Sequence, residues 1–364
     1  MNRPDYYNFH KEHGGIFSEE NPGDIPDYYS DISTEVGKVR SGAGIIDLSD
    51  RGKLKLSGKE HLKLLQGMLT NDVLKLENFR GLYATSLTVK GKIITDMRVH
   101  KFDDNILLDL EPGINETYGP FLLKYRLSYK ADIEDITESH SLIHLCGPDS
   151  TGIIKKNFNL DKVPVNEFDS LVLNKDGGDI LIIKINRTGE TGYDLYADNE
   201  TGFRVWSDLI NSNADDGLTP FGLKTLDTLR IEAGIPVLGK DMDENTIPIE
   251  AGLWNALDFE KGCYIGQEVV ARIKWRGRVN WHLVGFEIDE INDALKSGSE
   301  IFSGDKKIGR VTSFVHSPTL DKAIAIGYIR REFNENGVNV EIKLSKNLHL
   351  KAAVSALPFV NSFK

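Results

Sequence analysis

The spacing of apolar residues in this chain changes once, at about Trp281, and that change limits what the chain can fold into. Beyond Trp281 the apolar residues come in short runs: Leu283 to Ile288, Lys307 to Phe314, Ala323 to Ile329, Val338 to Leu344 and Ala352 to Leu357. Gly, Asp, Asn and Ser separate the runs, which is the pattern of an all-β sandwich or barrel. From Ile45 up to Trp281, strand-like and helix-like spacings alternate instead. Lys53 to Leu56 alternates like a strand; Ser57 and Glu60 then have capping-box spacing, and Leu62, Leu65 and Leu69 follow at helical intervals. Ile93 to Val99 and Ile106 to Leu110 read as strands joined through Asp103-Asp104-Asn105. Leu142 to Cys146, Ile180 to Ile185 and Tyr193 to Ala197 read as further strands, and Tyr118 to Tyr129 as a helix. Thr219-Pro220 suits the start of another helix, with Leu223, Leu226 and Leu229 on its apolar face and Gly234 at its end. The polar segment up to about residue 40 reads as an irregular extension. The expectation is an α+β body followed by a C-terminal β domain.

At 364 residues the chain is long enough for two or three domains. A formal net charge of −11 argues against broad nucleic-acid or anionic-membrane binding and leaves room only for a local basic patch. Met1 to Gly15 has no apolar core of a secretory signal, and no run of about 18 apolar residues occurs, so no membrane span is expected. Cys146 and Cys263 are the only cysteines, 117 positions apart (263 − 146), too few for a disulfide framework or a Cys-only metal cluster. A cytoplasmic protein without a metal centre is expected.

Several segments invite chemistry. Gly234 to Lys240 fits G-x-x-x-x-G-K, but Asp241 follows where a phosphate loop needs Ser or Thr, and a helix precedes it. His140 and His144, four apart, would share one face of a strand with Cys146, which favours a satisfied structural role over metal ligation. Asp96 falls inside the strand that follows Lys90-Gly91-Lys92, a place where Asp is depleted. If buried it needs partners or a task; if exposed it pairs with Arg98. Arg187 to Asp194 sets Glu190 and Asp194 among glycines, suiting either close approach to a ligand or a tight turn with solvated charges. Arg230 sits near a helix C-terminus, where it also complements the helix dipole. Lys261-Gly262-Cys263-Tyr264-Ile265-Gly266-Gln267-Glu268 frames a thiol with a cation two residues before it, while Glu260 and Glu268 oppose thiolate formation. Arg272 to Trp281 interleaves four cations with Trp275 and Trp281, the makings of a polyanion surface or of a solvated hairpin.

Taken together the segments resemble the glycine-cleavage T-protein (GcvT, aminomethyltransferase) superfamily, and the Lys261–Glu268 octapeptide resembles the signature of its YgfZ-like branch. The similarity runs from about Ile45 to Phe359 and includes Asp47-Leu48-Ser49, Thr70 to Val73, the Asp96 hairpin, Leu229 to Gly234 and Pro248 to Trp254. It implies a three-domain cloverleaf with two α+β domains and a C-terminal β-barrel- or jelly-roll-like domain. Residues 1–52 with 141–255 would make one discontinuous α+β domain, 53–140 an α+β domain inserted in it, and 256–364 the motif segment with the β domain.

The resemblance also implies a bound tetrahydrofolate or derivative. By motif, Asp96 matches the catalytic Asp, Tyr83 an aromatic lining the site, Arg230 a folate-contacting Arg and Trp254 a Trp beside it. Because the Arg187–Asp194 loop is shorter than the T-protein's, both Glu190 and Asp194 remain candidates for gripping the pterin. The YgfZ-like octapeptide implies a folate-binding factor for iron–sulfur cluster assembly or repair, with Cys263 as its key residue and iron–sulfur assembly proteins as partners. Asp96 implies instead a folate-dependent aminomethyl- or methyltransferase. YgfZ-like proteins are also associated with tRNA modification, for which Arg272 to Trp281 would be the RNA-binding stretch.

Overall fold

In the computed structural model, residues 6–19, 23–127, 129–213, 217–290, 292–345 and 347–361 are described. The N-terminal segment is ordered rather than an irregular extension: it forms α1 (Tyr6–Glu12) and α2 (Ile32–Ser41). Its polar composition hides a few inward residues, Tyr6, Val36 and Val39, that supply the packing. Asp31 caps α2 by accepting from the Thr34 N–H at 2.9 Å. His10 is fully buried between the Asp47 carboxylate at 3.1 Å and the Tyr29 hydroxyl at 2.7 Å.

The chain continues through β1 (Ala43–Asp47), β2 (Gly52–Ser57), α3 (His61–Met68), β3 (Arg80–Leu87), β4 (Ile93–Lys101), β5 (Asn105–Leu110), α4 (Ile114–Arg126), β6 (Asp132–Asp135) and β7 (His140–Cys146). Then come α5 (Ser150–Phe158), β8 (Ser170–Lys175), β9 (Gly178–Lys184), β10 (Gly192–Asp198), α6 (Asn199–Asn213), β11 (Leu218–Pro220), α7 (Leu223–Glu232) and α8 (Gln267–Arg276). The last strands are β12 (Trp281–Ile288), β13 (Glu300–Ser303), β14 (Lys306–Ser317), β15 (Lys322–Arg330), β16 (Asn339–Lys343) and β17 (His349–Ser355).

They form two open sheets and a closed barrel. The first sheet has the order β11-β1-β7-β10-β9-β8, parallel at β1–β11 and antiparallel elsewhere. Ile153 and Ile154 of α5 and Val205, Trp206 and Leu209 of α6 pack with one set of its residues, and Val36, Val39, Phe221 and Leu229 with another. Cover on both faces leaves β1 buried along its whole length and β10 buried from Gly192 to Ala197. The second sheet, β3-β4-β5-β2-β6, is antiparallel, with Leu64, Leu65 and Met68 of α3 and Tyr118 and Leu122 of α4 in its core. The third unit is the six-stranded barrel β12-β15-β14-β13-β16-β17, so the expected α+β body with a C-terminal β domain is what the chain forms.

Local expectations differ from the structure at several elements. Ser57 ends β2 and caps nothing; Glu60 is the residue before α3, and its side chain makes no cap. Thr219-Pro220 does not start a helix: both lie in the edge strand β11, where a Pro without an N–H is tolerated, and Gly222 precedes α7. The helix placed at Tyr118 to Tyr129 starts four residues earlier and ends at Arg126, and Ser128 lies outside the described residues. The basic stretch from Arg272 is not a hairpin, because Gln267–Arg276 is helical. His140, His144 and Cys146 do share β7, and among the described residues no cluster of His, Cys, Asp and Glu suits a metal ion. No helix among them is long and apolar enough to cross a membrane.

Candidate functional site

A cavity of ≈ 1270 Å³ opens between the two sheets, α7 and the barrel. Tyr83 of β3 and Asp96 of β4 form part of its wall. In the β3–β4 ladder Thr85 faces Asp96 and Tyr83 faces Arg98, so Tyr83 lies diagonal to Asp96. The Tyr83 hydroxyl donates to Asp96 Oδ2 at 2.6 Å. Asp96 Oδ1 is buried and has no hydrogen-bond partner among the described residues, and Asp96 does not pair with Arg98. Burial, then the Glu111 charge, push the Asp96 carboxyl above the usual carboxylate range, against the hydrogen bond from Tyr83.

Beneath this pair runs a buried chain of ions. Arg51, in the β1–β2 turn, donates to Asp109 of β5 at 2.6 Å and to Glu111 at 2.7 Å. Arg187, in the β9–β10 turn, donates through Nη2 to Asp109 at 2.5 Å and to Asp194 at 2.5 Å. Arg98 reaches Asp109 more loosely, at 3.4 Å. Asp194 accepts also from the Nδ1–H of His144, directly opposite it on β7, at 2.8 Å. Burial alone would raise Asp109 and Asp194, but Arg187 beside both, with Arg51 at Asp109, holds them far below the usual carboxylate range. The same contest leaves Glu111 lowered by Arg51 and Arg98. Burial keeps His144 neutral by pushing its pKa down. The chain spans both sheets, since Asp109 belongs to one and Asp194 to the other.

The other residues singled out from sequence occupy different places. Asp194 is fully buried in the ion chain and does not reach the cavity, because Arg187 and His144 take its oxygens. Glu190 is not on the cavity wall either; Arg40 of α2 holds it at 2.5 Å. The turn is thus neither solvated nor open to the cavity at its acids. Arg230 is on the wall, but four of its five N–H groups already donate: to Asp227 at 2.8 Å, Asp241 at 2.5 Å, Ile235 O at 3.2 Å and Ser313 at 2.7 Å. Trp254 is 53% exposed beside Phe259, while its neighbours Leu253 and Asn255 line the cavity in its stead. The octapeptide lies away from the wall. Lys261 Nζ donates to the carbonyls of Gln66, Leu69 and Asn71 at 2.9, 2.6 and 2.9 Å, Tyr264 is buried, and Gly266 leads into α8 with Gln267 and Glu268. Gly262 and Cys263 are exposed. The Lys261 ammonium is therefore spent on backbone carbonyls rather than aimed at the thiol.

Sequence reasoning missed Asp50, Arg51, Asp109 and Glu111. A signal existed for one: Asp109 interrupts the apolar strand Ile106 to Leu110, which is the same anomaly that marks Asp96.

The descriptions of two family models match the chain, the GCVT N-terminal domain over residues 6–261 and the glycine cleavage T-protein C-terminal barrel domain over residues 282–361. Among curated relatives, the aminomethyltransferase of Caldanaerobacter subterraneus subsp. tengcongensis is 32% identical over 91% of this chain and 88% of its own. That of Halothermothrix orenii is 31% identical over 99% of this chain and 100% of its own. The crystal structure of glycine cleavage system aminomethyltransferase T from Bartonella henselae superposes with a TM-score of 0.88, covering 98% of this chain and 97% of that one at 22% identity, which bears on the fold.

Proposed function

The chain belongs to the glycine cleavage T-protein (GCVT) family, and we propose that it is a tetrahydrofolate-dependent aminomethyltransferase in which Asp96 is the catalytic carboxylate. The observation carrying this reading is the free, buried Asp96 Oδ1 on the cavity wall, fixed in direction by the Tyr83 hydroxyl on its other oxygen. A buried acceptor without a partner among the described residues fits an N–H of a ligand. The cavity fits as well: its ≈ 1270 Å³ exceeds the roughly 300–1,000 Å³ of most small-molecule sites, which leaves room for folate and for a donor group together. Tetrahydrofolate, when bound, supplies the nitrogens that accept the one-carbon unit.

The protein's part is positional and electrostatic. Asp96 Oδ1 accepts from the reacting N–H and stabilises positive charge that develops there. Tyr83 keeps the carboxylate from rotating. Glu111, held ionised by Arg51 and Arg98, adds negative potential on the same side. The one remaining N–H of Arg230 is available for a carboxylate of the folate tail. The test is transfer of the one-carbon unit from lipoyl-bound aminomethyl to tetrahydrofolate, with Asp96→Asn expected to slow transfer about 10²–10⁴-fold while calorimetry still shows folate binding. A wild-type protein that binds tetrahydrofolate but transfers nothing would sink this reading.

A second reading, a YgfZ-like factor in iron–sulfur cluster assembly, is favoured by one observation: Cys263 of the octapeptide is exposed while Cys146 is buried. Its test is recovery of iron–sulfur enzyme activity in a deletion strain complemented by Cys263→Ala; full recovery removes the role of the thiol.

A further inference from the structure

We infer that Asp50 is a second proton-carrying residue of the cavity, working from the same cavity wall as Asp96 on the donor's departing groups. The inference deepens the aminomethyltransferase reading and rests on it.

Asp50 lies in the turn between β1 and β2, half-buried, with its side chain on the cavity wall. The backbone on both sides of it is clamped. Asp47 accepts from the Ser49 N–H at 2.8 Å and the Ser49 hydroxyl at 2.5 Å. The buried Lys53 ammonium donates to the carbonyls of Ser49 at 3.0 Å and Arg51 at 2.9 Å, and the Arg51 N–H closes the turn on Leu48 O at 3.1 Å. The neighbouring Arg51 guanidinium is committed to Asp109 and Glu111. Yet the Asp50 carboxyl makes no hydrogen bond to any described residue. A side chain on a rigid turn that faces a cavity with no partner of its own is placed for a ligand rather than for the fold.

The charges around it suit proton exchange. Burial and the Asp47 charge push the Asp50 carboxyl up to about 6, with Glu111 adding to the rise and Arg51 and Lys53 opposing it. Both cations face other groups, which is why they do not win. Glu111 also raises Asp96, so one ionised carboxylate tunes both acids.

The reaction needs two proton carriers. When a sulfur-bound aminomethyl group passes to an acceptor with two N–H groups, the donor's C–S and C–N bonds break and two C–N bonds form. Two protons leave the acceptor nitrogens, one ending on the departing sulfur and one on the departing amine. Asp96 has one free oxygen and serves one transfer at a time. Asp50 supplies the second group.

The test compares Asp50→Asn and Asp50→Glu with the wild type in three measurements: tetrahydrofolate binding by calorimetry, aminomethyl transfer across pH 5–9, and infrared titration of the ligand-free protein. We expect Asp50→Asn to bind tetrahydrofolate within about threefold of the wild type but to transfer at least about 10²-fold more slowly. It should also lose both the bend of the rate profile near pH 6 and a carboxyl band titrating there. Asp50→Glu should recover part of the rate. Full activity and an unchanged profile in Asp50→Asn, with Asp96→Asn inactive, would overturn the role of Asp50 and leave the aminomethyltransferase reading standing. A wild type without transfer would overturn both.

Discussion

Asp96 binds its proton more tightly in the folded chain than in the unfolded one, since burial and Glu111 raise its pKa. The sign of its effect on stability follows. Its favourable contribution is present below the ordinary carboxylate range and is lost as pH rises through the raised value, because the folded chain then holds an ionised, half-satisfied carboxylate. Asp96→Asn keeps the shape, removes the charge, and is expected to raise the melting temperature at pH 8 by ~3 °C, reflecting about 1 kcal/mol, with no difference near pH 4. Differential scanning calorimetry of both proteins at the two pH values checks this; equal melting temperatures at pH 8 would mean that the carboxylate is not strained. This residue was legible because an Asp in a strand contradicts strand chemistry. Asp50 was not, because Asp-Leu-Ser-Asp is an ordinary turn composition and only the fold shows that the turn faces a cavity. Glu190 and Asp194 were legible as a pair of acids, and Arg187 of the same segment is a partner of Asp194, but Arg40 and His144 were not legible as partners because they are distant in sequence.

At the scale of elements, the register of β7 against β10 sets His144 opposite Asp194, and Arg187 joins Asp194 to Asp109 of the neighbouring sheet. Replacing Arg187 with Met takes a partner from two buried carboxylates at once, leaving Asp109 with Arg51 and Arg98 and Asp194 with His144, so Arg187→Met should cost about 3–5 kcal/mol in denaturant unfolding, and adding Asp194→Asn should recover part of it. His100 of β4 presents the opposite case: both ring nitrogens are buried without partners among the described residues, and burial lowers its pKa to about 4. A depressed histidine leaves stability intact above its unfolded value near 6.5 and removes it as pH falls toward 4, by up to about 3 kcal/mol. His100→Leu should flatten the acid side of the stability curve over that window, which unfolding series at pH 7, 6, 5 and 4 would reveal. The strands carrying these residues were mostly readable from apolar spacing. The missed ones gave periodicity no handle: β3, β6, β8 and β13 are partly exposed, and β1 and β11 have only five and three residues. The helix start at Pro220 was misplaced because Pro is equally at home on a sheet edge.

At the scale of the molecule, the cavity exists because the barrel docks onto α7, and a few buried polar groups fix that contact. Arg230 Nη2 donates to Ser313 of β14 at 2.7 Å, while Asp241 accepts from Thr312 at 2.5 Å and Ser313 at 2.7 Å. Glu232 at the end of α7 takes Thr319 Oγ1 at 2.9 Å and Arg40, and its carbonyl accepts from the Phe359 N–H at 2.9 Å. Gly234 lies at φ +68°, where an added Cβ would meet Leu357 of the barrel segment at 2.8 Å. The change of spacing at Trp281 announced a separate β unit, but not where it sits; that depends on Asp241, the residue that excluded a phosphate loop in the sequence and is the buried anchor in the fold. Arg230→Ala leaves Asp241 buried with only the Thr312 and Ser313 hydroxyls and the Val237 N–H as partners and no cation, so it should destabilise by about 3–5 kcal/mol and weaken tetrahydrofolate binding through the displaced barrel wall. Asp241→Asn in the same chain removes the stranded charge. A coupling of about 0.5–3 kcal/mol in the double-mutant cycle, with folate affinity recovering alongside stability, would show that Arg230 acts by holding the barrel in place. Affinity that stays low while stability returns would show instead that its remaining N–H contacts the ligand.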